Sequence, residues 1–139
     1  MLPINFTAVL VAAVVAFVLG FLIHGPVFGK LWMKLADIHP TGKEKFSDMY
    51  GQMVLNFLVN ILTAYVLAAV YLFASTSPHM GGSGAWNGVV CAFWVWLGFQ
   101  VTVTSMDVIW MKRSVKLWLF ECASAFVMLA SMGAIIASM

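Results

Sequence analysis

The chain has 139 residues, 63% of them hydrophobic and 9% charged, with a formal net charge of +2. Soluble domains run near ~45–50% apolar and ~25% charged, so this composition excludes an ordinary soluble domain. It points to an all-α polytopic membrane protein, one domain over residues 1–139 with about four crossings of roughly 20 residues each.

Residues 1–5 carry no Lys or Arg, so the first apolar run lacks the basic start of a signal peptide and reads as a retained helix. That helix covers about residues 5–23, uncharged throughout. Ala12, Ala16 and Gly20 share one of its faces, a small-residue stripe of the kind that lets helices approach closely in lipid. Gly25-Pro26 ends it, because Pro lacks a donor and disfavours helix at the residue before it. Phe28 to Leu35 suits a short amphipathic helix at the interface, with Lys30 and Lys34 toward water. Thr41 and Glu44 have the spacing of a capping box, which would start the second helix outside the bilayer.

The second span is expected over 52–74, with Asn56, Asn60 and Thr63 on one face. Residues 75–85 are rich in Ser, Gly and Pro and read as a loop. The third span is expected over 86–106, where Gln100 and Thr104 share a face that Asp107 extends to the water boundary. A basic connection with Lys112, Arg113 and Lys116 leads to the fourth span, 117–137, which holds Glu121 and Ser124.

All seven Lys and Arg residues fall in the segment 24–51 or the segment 107–116. The positive-inside rule makes that side cytoplasmic. The expected topology is therefore multi-pass in a bacterial inner membrane, with both termini outside and the amphipathic segment and loop 27–51 in the cytoplasm. Trp32, Trp110 and Trp118 then mark the inner interface and Trp86 the outer one.

Gly20-Phe21, ten residues, then Trp32-Met33-Lys34 recurs 78 residues later as Gly98-Phe99, ten residues, then Trp110-Met111-Lys112. Helix 2 likewise resembles helix 4, with Asn60 opposite Glu121 and Thr63 opposite Ser124. Two tandem, pseudo-equivalent hairpins follow, related by an axis along the membrane normal. Their polar residues Asn56, Asn60, Thr63, Gln100, Thr104, Glu121 and Ser124 would then form one binding cluster. The bland alternatives stay open. Glu121 could snorkel and pair with Lys116 or Arg113, and the Asn and Thr side chains could be interhelical glue. His24, beside Gly25 and Pro26 in the helix break, is expected to bond to freed backbone carbonyls; its functional reading is a proton-accepting group. No metal site is expected, since His24, His39 and His79 are scattered. Cys91 and Cys122 lie at different depths, which argues against a disulfide.

The run Gly20-Phe21-Leu22, then Gly25-Pro26-Val27-Phe28-Gly29-Lys30-Leu31-Trp32-Met33, resembles the bacterial proteins grouped as domain of unknown function 1761. Trp96-Leu97-Gly98-Phe99 and the helix from Lys116 to Ile136 are similar to that family as well, so the resemblance covers most of the chain. It implies four membrane helices and an inner-membrane location, and carries no activity.

The expected function is therefore a small integral membrane protein acting through helix packing, as a homo-oligomer or an accessory subunit of a larger membrane complex. The alternative is a small transporter or channel with its polar site on helices 2, 3 and 4, taking a small-molecule ligand. An enzyme is not expected, because no nucleophile, base or metal set stands at a convincing spacing. Nor is any cofactor, or any partner nucleic acid; the bilayer is the expected surrounding.

Overall fold

Asn5 starts the first helix. Its side-chain oxygen accepts from the Thr7 and Ala8 amides at 3.1 and 3.2 Å, occupying two of the donors that a helix N-terminus leaves open. In the computed structural model, which describes residues 3–80 and 84–139, α1 (Phe6–Leu22) follows. Ala12 and Ala16 of the expected stripe are fully buried. The break is placed as expected but is not a plain stop. Pro26 offers no N–H, so the chain slips to the wider register of a π turn over Ile23–Val27. The Phe28 amide donates to the Ile23 carbonyl at 3.1 Å, and Gly25 sits outside helical geometry at φ −114°, ψ −107°. The helical span thus runs Phe6–Val27, beyond the expected end at residue 23.

The chain turns at once into α2 (Gly29–Leu35). Gly29 is needed there, since a Cβ would meet the His24 carbonyl oxygen at 2.8 Å. Asp37, in the left-handed region at φ 56°, closes α2, with the Ile38 amide donating to the Met33 carbonyl at 2.9 Å.

The expected capping box does not start a helix. Gly42 is left-handed at φ 74°, which turns the chain where a helix would need negative φ. The Glu44 carboxylate instead closes the turn. It accepts from the Thr41 amide at 2.9 Å, the Thr41 hydroxyl at 2.8 Å and the Gly42 amide at 3.1 Å. These bonds, the Thr41 amide first, hold its carboxyl below the ordinary glutamate value. Acidification should release the turn. A depressed carboxyl stabilises fully above the unperturbed pKa of about 4.3 and loses that contribution as pH falls through its lower folded value. Amide spectra should show Thr41 and Gly42 shifting together on acidification. Shifts at these positions that persist in Glu44→Gln would assign them to another group.

Helical structure resumes with a 3-10 turn, Phe46–Met49, where the Asp48 carboxylate accepts from the Lys45 amide at 3.3 Å. α3 (Tyr50–Ser75) then exceeds the expected 52–74 at both ends. Within the loop, Pro78–Met80 forms another 3-10 turn; its residues 81–83, like residues 1–2 of the uncharged N-terminal stretch, lie outside the described residues. α4 (Ala85–Val95), a π turn (Trp96–Val101) and α5 (Thr102–Trp110) form one continuous span. It ends at Trp110 rather than Met106, because the stop is made by Lys112 at φ 52° and by the Arg113 amide reaching the Asp107 carbonyl at 3.2 Å. α6 (Val115–Ser138) is capped by the Ser114 hydroxyl, which accepts from the Leu117 amide at 3.5 Å.

Four spans are therefore long and apolar enough to cross a membrane, and no strand occurs among the described residues. α1 with α3 makes one hairpin, and α4–α5 with α6 the other. Each first helix carries a π turn, the second containing Gly98-Phe99 and the first beginning two residues after Phe21. α6 packs along α4 on one side and α1 on the other, while α3 leans mainly on α1. The α1/α6 seam is closed. The α3/α4 seam is parted, leaving an apolar groove of ≈240 Å³ lined by Thr63, Val66 and Val70 of α3 and Val95 of α4. α4 and α6 meet where Gly88 and Gly133 place backbone against backbone, the close approach that small residues permit.

Candidate functional site

Breaking α1 at Gly25-Pro26 has a consequence for the space beside it. The chain folds over into α2 instead of continuing along α3, and a cavity of ≈380 Å³ opens at the basic end of the bundle. Phe17, Phe21 and His24 of α1 form one wall. Met53, Asn56 and Asn60 of α3 form the other, with Met49 just before them. Trp32 of α2 and Met128 of α6 close it. No Lys, Arg, Asp or Glu is among the described lining residues. The size falls within the roughly 300–1,000 Å³ of small-molecule sites, which are mostly apolar with a few placed polar groups.

The polar groups are well defined. His24 Nδ1 lies 3.0 Å from the Gly20 carbonyl oxygen. A carbonyl only accepts, so Nδ1 carries the proton, and in the neutral ring Nε2 keeps a free lone pair. His24 does bond to a backbone carbonyl, but to that of Gly20, which also accepts from the Ile23 amide, and not to one freed by Pro26. Trp32 and Phe120 meet the imidazole edge-on at centroid distances of 5.3 and 5.8 Å and fix its plane. Asn60 Nδ2 donates to the Asn56 backbone carbonyl at 3.0 Å, leaving Oδ1 free. The Asn56 side-chain amide has no partner among the described residues.

The seven polar residues expected to converge do not form one cluster. Asn56 and Asn60 join His24 and Gly25 at the cavity. Thr63, on the same face of α3 but about two turns further on, looks into the α3/α4 groove and donates to the Val59 carbonyl at 2.9 Å. Thr104 belongs to the second hairpin. Its hydroxyl donates to the Gln100 carbonyl at 2.6 Å and accepts from Trp118 Nε1 at 2.9 Å. Ser124 is buried and donates to the Phe120 carbonyl at 2.8 Å. Glu121 shares a void of ≈10 Å³, about one water's room, with Asp107 and Arg113. Arg113 is engaged by Asp107 at 3.4 Å, and Glu121 makes no ion pair among the described residues. Its expected pairing with Lys116 or Arg113 is therefore absent. Asn60, Thr63, Thr104 and Ser124 each donate to a carbonyl of their own helical span.

Two features read separately in the sequence thus meet in space, the helix break at His24-Gly25-Pro26 and the Asn face of α3. The aromatic and thioether walls were missed. Phe17 and Met128 look like ordinary membrane residues, while Phe21 carries a signal only through the Gly-Phe repeat and the family motif, and Trp32 through that repeat and as an interfacial anchor.

Four apolar spans, three of which line a largely apolar cavity, define a small polytopic helical membrane protein. The chain belongs to the family described as Protein of unknown function (DUF1761), whose model matches residues 7–137 and so covers both hairpins. Comparison with curated proteins and with solved structures gave no match.

Proposed function

We propose that the protein is a ligand-handling membrane protein of the transporter type, and that the cavity beside the α1 break is its binding site. One observation carries the reading: His24, Asn56 and Asn60 line a single, otherwise apolar cavity, with polar atoms that make no hydrogen bond among the described residues. Polar groups at membrane depth need partners, and a ligand supplies them. The reading is one of binding rather than catalysis, because no nucleophile stands beside the imidazole among the described lining residues. The positive-inside rule puts the basic end in the cytoplasm of a bacterial inner membrane, with both termini outside. The cavity then lies in the cytoplasmic leaflet.

Assembly, as a homo-oligomer or within a larger membrane complex, is the second reading. The parted α3/α4 seam favours it, since that groove has the apolar lining to take a helix. Native mass spectrometry of the protein released from nanodiscs separates the two. A reproducible non-lipid small molecule, lost in Asn56→Leu/Asn60→Leu, is the result expected for binding. A defined oligomer carrying lipid alone would support assembly instead, and an empty monomer would remove both.

A further inference from the structure

We propose that the cavity takes a neutral amphiphile from the lipid phase, an apolar chain or ring whose head donates a hydrogen bond. This rests on the binding reading above and adds the chemistry of the ligand. Charge comes first. The described lining holds no Lys, Arg, Asp or Glu, so an ion moved there from water would meet no permanently charged side chain, which is costly in a low-dielectric site. Fixed anions and cations are both disfavoured, although aromatic rings do attract cations.

Hydrogen-bond polarity narrows the head further. The Nδ1 proton of His24 is used by the Gly20 carbonyl, and one Asn60 amide proton by the Asn56 carbonyl. Two acceptors remain, His24 Nε2 and Asn60 Oδ1, beside the second Asn60 amide proton. At His24, which has no second proton to offer, a ketone or ether head would set lone pair against lone pair, whereas a hydroxyl or N–H head satisfies the acceptor. The Asn56 amide, with both donor and acceptor, completes either arrangement. The rest of the cavity matches an apolar body. Phe17 and Trp32 offer ring surface, and Met53 and Met128 offer thioethers that adapt to irregular shapes. Phe21 and Met49, 52% and 49% exposed, mark the mouth. That mouth lies at the basic end, near the level where a lipid-borne head would sit.

The test uses the full chain in phosphatidylcholine nanodiscs and four photoactivatable dodecyl probes of equal length. Their heads are hydroxyl, trimethylammonium, carboxylate and none. The hydroxyl probe should label segments 17–32 and 49–60 several-fold more than the other three. His24→Phe and Asn60→Leu should each reduce that preference by roughly 2- to 10-fold, the worth of one net hydrogen bond. Both variants should keep the labelling by the headless probe, which reports that the cavity is still formed. Equal labelling by all four probes would overturn the assigned head while leaving the binding reading in place, and so would stronger labelling by either charged probe. A hydroxyl preference untouched in both variants would place the head elsewhere and overturn the assignment. No labelling of these segments by any probe would overturn the proposal and the binding reading together.

Discussion

Gly133→Leu should unfold the bundle or cost it at least ~3 kcal/mol, at the upper end of what overpacking does. A Cβ added to Gly133 falls on the Gly88 carbonyl and within 3.0 Å of the Ala92 Cβ. One added to Gly88 falls on the Gly133 carbonyl and within 2.7 Å of the Ala137 Cβ. The obstruction is backbone, so no rotamer change relieves it. The two helices would have to separate along the most extensive helix contact in the molecule. In lipid this loss is severe, because packing rather than a hydrophobic driving force holds helices together. Gly20→Ala is the control. Its Cβ would meet the Met128 sulfur at 3.1 Å, the end of a side chain that can move. Relief of the helical glycine penalty, about 0.5–1 kcal/mol, offsets the crowding. Unfolding in mixed detergent micelles would rank the variants. A Gly133→Leu protein that unfolds like the parent would show that α4 and α6 do not cross at these glycines.

Gly25→Ala/Pro26→Ala should act in the opposite direction on stability and abolish the cavity. The missing amide at position 26 is restored, so the π turn can relax to ordinary helix, and up to ~3 kcal/mol of proline penalty is removed. A straightened α1 would carry α2 away from His24. Trp32 would then leave the imidazole that it now meets at 5.3 Å, and the cavity would lose that wall. Thermal stability should hold or rise while hydroxyl-probe labelling of residues 17–32 and 49–60 disappears. Undiminished labelling in a stable variant would mean that the break does not create the site. The two substitutions test different things: the glycine crossing holds the bundle closed, and the Gly-Pro break holds one part of it open.

Much of this architecture follows from local chemistry. The four spans, the small-residue face of α1 and the gathering of Lys and Arg at one end are legible because apolar length, side-chain period and charge position act within a single segment. The helix break was legible for the same reason, since proline withholds its amide whatever surrounds it. Errors arose where a local signal had a competing local outcome. Thr41 and Glu44 do pair, but a left-handed Gly42 makes their bond the closure of a turn rather than the start of a helix. Asp107 marks a water boundary by its charge, yet the helix runs past it to Trp110.

Which polar residues meet was decided by tertiary structure alone. Asn56, Asn60 and Thr63 share a helical face in any reading of the sequence, but α3 faces α1 across the cavity at its basic end and parts from α4 further along. One face therefore serves two unrelated spaces. Glu121 has basic residues near it in sequence, but Arg113 turns to Asp107. In lipid, neighbours are chosen by how closely backbones fit, as at Gly88 and Gly133. That choice depends on pairs of distant segments at once, so residue type and spacing can name the polar groups of this protein but cannot assign their partners.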